Sequence, residues 1–324
     1  MSFKPKNIFK EAVNAEDRIR PYIRETPLDP SPFLSRENSG DISLKLENWQ
    51  ITGSFKLRGA LNKILALRPE EQNAGIFTAS SGNHGAAVAY ALHLFNLKGT
   101  IFLPEYASTA KLDALRMYRP EIHMYGDDCV KAENQARRTA AERNGVFISP
   151  YNDPLIIAGQ ATAGLEILKQ SRRLDFILVP VGGGGLISGV AGVLKHRRPG
   201  IEVIGVQPEN SPVMHESVKA GRIMEYHSKP TLSDGTAGGL EEGSLTFDIC
   251  REWVDDFILV SEEEIASSLL WLLQHQHMLV EGSAALPVAA LKQQKKRFYG
   301  KNGALIITGS KLNLDTLRHL LCTS

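Results

Sequence analysis

Apolar residues along the chain fall into two kinds of run. Short, nearly unbroken ones read as strands: GIFTAS (75–80), GTIFLP (99–104), EIHMYG (121–126), DFILVPVG (175–182), EVIGVQP (202–208), DDFILVS (255–261) and GALIITG (303–309), with a further strand expected over 42–47. Several lack the in–out alternation of a half-exposed strand, as expected where both faces of a sheet are covered. Longer runs between them carry helical spacing. KAENQARRTAAERNG (131–145) predicts a helix closed by Gly145, and SEEEIASSLLWLLQHQHML (261–279) predicts one opened by a capping box from Ser261 to Glu264. Strand–helix alternation at this spacing predicts an α/β protein with mostly parallel sheets, either one broad sheet or two smaller ones.

Composition narrows the function classes more than the fold. The 324 residues suffice for one large or two medium domains. With 37 Lys and Arg against 36 Asp and Glu, there is no electrostatic footprint for nucleic acid or an anionic membrane surface. Cys129, Cys250 and Cys322 are scattered and form no CxxC pair, which argues against a disulfide framework or a zinc site. The first residues are charged throughout, unlike a signal peptide, and no run approaches a membrane span. A cytoplasmic protein is expected.

Four stretches carry candidate chemistry. In VPVGGGGLISG (179–189) a buried strand runs into Gly182, Gly183, Gly184 and Gly185 and then into a helix. Glycine permits close backbone approach, and a helix start offers free N–H groups, so the turn reads as a phosphate cradle. A G-x-G-x-x-G spacing does not close, because positions 187 and 188 are Ile and Ser, and no P-loop motif occurs. In TASSGNHG (78–85) another helix start is crowded with donors suited to a carboxylate or phenolate oxygen. A single histidine there, His84, is more often a structural hydrogen-bonder than a catalyst. ITGSFKLRGA (51–60) sets Lys56 at a helix start, and LIITGSKLN (305–313) delivers the Thr308 and Ser310 hydroxyls at the carboxyl end of a strand, where open α/β sheets bind ligands. An amine able to form an imine, a phosphate cradle, a donor cluster and a strand-end hydroxyl together suit pyridoxal phosphate.

In this order, TPL (26–28), KLENWQITGSFKLRGA (45–60), SSGNHG (80–85), LPEYASTAKLDALR (103–116), PYNDPLIIAGQATAGLEIL (150–168) and VPVGGGGLISG (179–189) closely resemble the serine/threonine dehydratase and serine racemase family. The resemblance implies pyridoxal-phosphate fold type II, related to the tryptophan synthase β chain: two open, mostly parallel twisted sheets flanked by helices. It implies a large cofactor-binding domain of residues 1–71 and 151–324 and a small substrate-closing domain of residues 72–150. Lys56 would carry the cofactor as an imine and move protons on one face. Asn83 would bond the phenolic oxygen, Gly182 to Gly185 the phosphate, and Thr308 the ring nitrogen. Ser81, Gly82, Asn83 and His84 would receive the substrate carboxylate.

The implied activity is β-elimination from a β-hydroxy-α-amino acid, giving a 2-oxo acid and ammonia. A racemase of the same substrates stays open, because Ser81 sits where racemases place a proton-donating serine, and a cofactor-binding protein without turnover stands third. Metal-binding members carry carboxylates where this chain has Gln207 and Val213, with Ser211 between, so no metal is expected. Glu281, in VEGSAAL, matches a position near the cofactor ring but equally suits a helix cap. The expected partners are an amino-acid substrate and a second copy of the chain in a homodimer. With its end at Ser324, no C-terminal regulatory domain is expected.

Overall fold

The computed structural model describes residues 5–105, 107 and 109–323. Residues 1–4, at the terminus read for a leader, Tyr106 and Ser108 of the 103–116 stretch, and Ser324 lie outside the described residues. The strands are β1 (Leu28–Pro30), β2 (Ile42–Lys45), β3 (Ile76–Ala79), β4 (Gly99–Leu103), β5 (Glu121–Met124), β6 (Val146–Phe147), β7 (Phe176–Pro180), β8 (Glu202–Pro208), β9 (Asp256–Val260) and β10 (Gly303–Ile306). They form a six-stranded sheet, β1-β2-β10-β7-β8-β9, and a four-stranded sheet, β5-β4-β3-β6. Every pairing is parallel except β1 with β2. The chain thus has the α/β architecture of two mostly parallel sheets, and the choice between one sheet and two falls to two.

The unbroken apolar runs mark the middle of the larger sheet. Every residue of β7 and of β10 is buried. Alternate side chains enter opposite layers: Phe176, Leu178 and Leu305 pack with the helix Gly282–Gln293 on one face, while Ile177, Val179, Ala304 and Ile306 join the helix Gly185–Arg197 on the other. Each large aliphatic side chain so buried contributes about 1.5–3 kcal/mol. The edges look different. In β5 three of four residues are exposed, and β9 alternates along its length.

Helix ends follow local chemistry. The capping box at Ser261 forms, with the Ser261 hydroxyl accepting from the Glu264 N–H and the Glu264 carboxylate accepting from the Ser261 N–H. The helix predicted to close at Gly145 runs Cys129–Glu142, and the residue in the left-handed region is Asn144, at φ 51°. Asparagine tolerates that conformation better than most residues.

The helix Lys56–Leu65 is gripped from two sides. Leu57, Leu61 and Ile64 pack with Ala87, Val88 and Ala91 of the helix Asn83–Leu94 beside the smaller sheet. Gly59 lies against the helix Pro154–Gln170, where a Cβ would come within 2.6 Å of nothing but Gln160, whose Nε2 would be 2.5 Å away. No helix among the described residues is long and apolar enough to cross a membrane.

Candidate active site

Lys56 is the first residue of its helix. The loop before it is zipped to the end of β10: the Phe55 N–H donates to the Thr308 carbonyl at 3.2 Å, and the Ser310 N–H to the Gly53 carbonyl at 3.0 Å. The chain therefore delivers Lys56 and Thr308 together. The Lys56 ammonium donates to the Pro150 carbonyl at 2.8 Å. Burial pulls its pKa down to about 8, against an opposing pull from the Glu281 carboxylate. A surface lysine would show neither feature.

The glycine turn meets Lys56 through the next residue, Tyr151. Gly184 precedes the helix at φ 83°, a conformation that disfavours other residues. A Cβ on Gly183 would lie 2.4 Å from the Tyr151 ring, and one on Gly185 would lie 3.1 Å from the Tyr151 Cα. The turn thus packs directly on the residue that follows the carbonyl holding Lys56. The Gly183 carbonyl accepts from the Thr246 hydroxyl at 2.6 Å, so the cradle is fixed from outside. Tyr151 was not among the candidates read from sequence. Its oxygen accepts the Glu241 N–H at 2.8 Å, and the Glu241 carboxylate pairs with Arg137 at 2.8 Å.

The donor cluster at 80–85 is built closely. A Cβ on Gly85 would fall 1.9 Å from the Ser80 carbonyl oxygen. No side chain caps the helix Asn83–Leu94, so its first N–H groups are left to another acceptor. Ser81 and Gly82 are half-buried on the turn before it. The His84 imidazole points elsewhere: its Nε2–H donates to the Ile148 carbonyl at 3.1 Å. Burial, with the Lys56 charge nearby, pushes its pKa down to about 3 and keeps it neutral. Only its backbone is left to meet a substrate carboxylate.

Glu281 completes the group. It holds the N-cap position of the helix Gly282–Gln293, yet its side chain caps nothing there. Instead Oε2 accepts from Asn83 Nδ2 at 2.7 Å and Oε1 from the Thr308 hydroxyl at 3.4 Å. Asn83 Oδ1 is buried and has no hydrogen-bond partner among the described residues. Thr308 is 3% exposed. Burial raises the Glu281 carboxyl to about 7. Of the two readings left open for Glu281 by the sequence, the cap is the one not realised.

Gln207 and Ser211 serve the backbone. Gln207 Nε2 donates to the carbonyls of Val181 at 3.1 Å and Ser211 at 3.4 Å, and its Oε1 accepts from the His215 N–H at 2.8 Å. The Ser211 hydroxyl bonds that of Ser228 at 2.7 Å, and Val213 is buried. A separate cavity of about 520 Å³, lined by Arg172, Arg173 and Arg198, lies at the opposite ends of the strands. Two helices end there, at Gln170 and Arg197, and cations at helix C-termini are favourable in themselves.

The residues present fit pyridoxal phosphate: a glycine cradle with no room for side chains, a buried amine of lowered pKa, and a buried amide oxygen without a partner. These features suit an enzyme that works with pyridoxal phosphate. The profile of the pyridoxal-phosphate dependent enzyme family matches residues 19–309, and the chain belongs to that family. It is 40% identical over 307 residues to the L-threonine ammonia-lyase of Thermotoga maritima, covering 95% of this chain and 76% of that protein. Its structure is similar to the processed form of threonine deaminase isoform 2 from Solanum lycopersicum, with a TM-score of 0.93, 30% identity and coverage of 98% and 88%. It is also similar to maize serine racemase, with a TM-score of 0.89, 32% identity and coverage of 97% and 98%.

Proposed function

We infer that the chain is a pyridoxal-phosphate-dependent ammonia-lyase that converts a β-hydroxy-α-amino acid of the serine/threonine class to a 2-oxo acid and ammonia. L-Threonine is the substrate favoured by the names of its relatives. The observation that carries the reading is Lys56: a buried amine of lowered pKa, held against the Pro150 carbonyl beside a glycine turn.

The cofactor, when bound, supplies the electron sink that makes the substrate's α-proton removable. The protein supplies the rest. Lys56, at about 8, is neutral in about a tenth of molecules at pH 7 and so is able to act as a base at its Nζ. Gly182, Gly183, Gly184 and Gly185 with the following helix start offer N–H groups to a phosphate. Ser81, Gly82 and the N–H groups of Asn83 and His84 offer the second helix start to the substrate carboxylate. Asn83 and Thr308 orient the ring from the side where Glu281 holds them.

Residues 72–150 are proposed as a small domain closing over the substrate; in support, the strands of the smaller sheet all lie between Ile76 and Phe147. A homodimer belongs to the same reading and rests on the resemblance; the cytoplasmic location expected from the sequence is kept with it. A racemase is the second reading, favoured by Ser81 on the helix-start turn and by the likeness to serine racemase. A panel of serine, threonine, hydroxyaspartate and aryl-serines, scored for 2-oxo acid and for inverted enantiomer, tests both. Release of 2-oxo acid from threonine is expected. Inversion without 2-oxo acid would reverse the order of the readings.

A further inference from the structure

The two oxygens of Glu281 are held differently. Oε2 accepts a hydrogen from Asn83 Nδ2 at 2.7 Å, and an amide nitrogen acts only as a donor. Of the two oxygens, Oε1 is the one that faces a group able to accept a proton as well as to donate one, the Thr308 hydroxyl. Oε1 faces the Thr308 hydroxyl at 3.4 Å. Such a contact is long, and a small shift of either side chain closes it, as often happens when a ligand binds. Gly309 makes room for the arrangement: a Cβ there would lie 2.5 Å from Oε2 and 2.6 Å from Oε1.

A hydroxyl carries one hydrogen and points it one way at a time. With Glu281 ionised, Thr308 gives its hydrogen to Oε1 and offers only a lone pair outward. With Glu281 protonated, Oε1–H donates to Thr308 Oγ1, and the Thr308 hydrogen turns outward. We propose that Glu281 and Thr308 form a two-member proton relay whose outer end is the cofactor's ring nitrogen. This rests on the proposed function and on the placement of Thr308 against that nitrogen that the resemblance implies. One transfer breaks the Oε1–H bond and the existing Thr308 O–H bond. It forms a new O–H bond on Thr308 and an N–H bond on the ring, so one proton resides at one end or the other. A hydroxyl alone does not stabilise a protonated ring, but here the stabilising anion is one hydroxyl away.

Glu281 is poised for this. Asp234, from the turn Asp234–Thr236, opposes its ionisation, while Lys311, five residues past β10, favours it through its backbone N–H and its charge, and Lys56 favours it through its charge. The helix Asn83–Leu94 contributes the neutral Asn83 amide and the neutral His84 ring. Burial outweighs the rest and leaves the carboxyl at about 7.

Infrared difference spectroscopy of the apoprotein, with Glu281→Gln as the reference, reads the carboxyl directly. A protonated-carboxyl band is expected whose loss has a midpoint at about 7, absent in Glu281→Gln. Thr308→Val should raise that midpoint by about one unit, because the carboxylate loses a charge-assisted donor, a larger loss than that of the neutral acceptor by the protonated carboxyl, and Thr308→Ser should restore it. In cofactor-loaded protein the visible absorbance should titrate with the same midpoint, and not in Glu281→Gln. If no carboxyl band disappears in Glu281→Gln, or if the band ignores Thr308→Val, the relay is overturned. If the band responds to Thr308→Val but the visible absorbance does not titrate, the placement of Thr308 against the ring nitrogen is overturned, and the outer half of the relay goes with it.

Discussion

Arg58 donates two parallel hydrogen bonds to Glu47, Nε to Oε2 at 2.7 Å and Nη2 to Oε1 at 2.8 Å, with neither side chain exposed. The same guanidinium reaches Glu166, Nη1 to Oε1 at 2.9 Å and Nη2 to Oε2 at 2.7 Å, and Lys45 Nζ joins Glu166 Oε2 at 2.6 Å. Two buried cations thus balance two buried carboxylates two residues along the helix from Lys56. Removing one partner leaves charge stranded, which costs more than the intact cluster contributes. Arg58→Ala should lose about 3–5 kcal/mol in urea unfolding of the apoprotein. Arg58→Lys should recover only part, because an ammonium lacks the two-pronged fork. A loss below about 1 kcal/mol in Arg58→Ala would mean that the remaining partners suffice, Lys45 and Arg20 on Glu166 and the Thr26 hydroxyl on Glu47.

The lowered pKa of Lys56 sets how the apoprotein captures its cofactor. Only the neutral amine attacks an aldehyde, and below its pKa the neutral fraction grows tenfold per pH unit. The rate of adduct formation, trapped by borohydride, should climb with pH and level off at about 8. Lys56→Ala should fold and trap nothing. A rate still climbing at about pH 10, the ordinary lysine range, would show that burial does not perturb this amine.

Gly183→Ala tests the packing of the turn on Tyr151. The added Cβ would come within 2.4 Å of the ring and has no free direction to take. Cofactor affinity, read by fluorescence quenching, should fall at least about tenfold, or about 1.4 kcal/mol. The double variant with Tyr151→Ala should bind better than Gly183→Ala alone. Equal weakening in the double variant would locate the damage in the backbone of the turn rather than at the ring.

At Gln207, where the resemblance implies a carboxylate in metal-binding members, this chain uses an amide to satisfy two carbonyls. Magnesium, calcium and chelator should therefore leave turnover unchanged. Gln207→Glu would turn a carboxylate toward the Val181 carbonyl, one residue before the glycine turn. That variant should lower cofactor affinity, and a divalent cation should partly restore it. Strong activation of the unmodified protein by a divalent cation would reveal a site built from other groups.

Much of the fold was legible because burial on two faces leaves an unbroken apolar run, as in β7, β8 and β10. β1 was not. Its three residues end in Pro30, which has no N–H to give, and it pairs on one side only. β6 has two residues, too short for any periodicity. The same divide runs through the site. Glycine turns, Lys56 and the 80–85 cluster carry their chemistry in consecutive residues. The charges of Arg58, Glu47 and Glu166 are spread over three segments and resemble solvated surface residues until the fold joins them. Glu281 had two readings because a carboxylate before a helix of small residues suits either. Only the positions of Asn83 and Thr308, far from it in sequence, separate them.

His84 gives a prediction about stability in acid. Its imidazole is buried, donates one hydrogen bond to the Ile148 carbonyl and has a folded pKa of about 3, against the ordinary 6.5 of a free imidazole. Between those values the unfolded chain binds a proton that the folded chain refuses. The stability it contributes is present above about 6.5 and is lost as pH falls toward about 3. A buried neutral histidine carries on the order of a few kcal/mol across such a window. His84→Gln keeps an amide N–H able to reach the Ile148 carbonyl but has nothing to titrate. Urea unfolding of the apoprotein at about pH 7 and about pH 4.5 should show a smaller acid loss in His84→Gln than in the unmodified protein. Other groups contribute to acid unfolding of both proteins, so the comparison is of the two losses rather than of either alone. Equal losses would mean that His84 accepts a proton in the folded state. The helix start at Asn83 would then carry a cation, and the reading of His84 as a neutral structural group would fail.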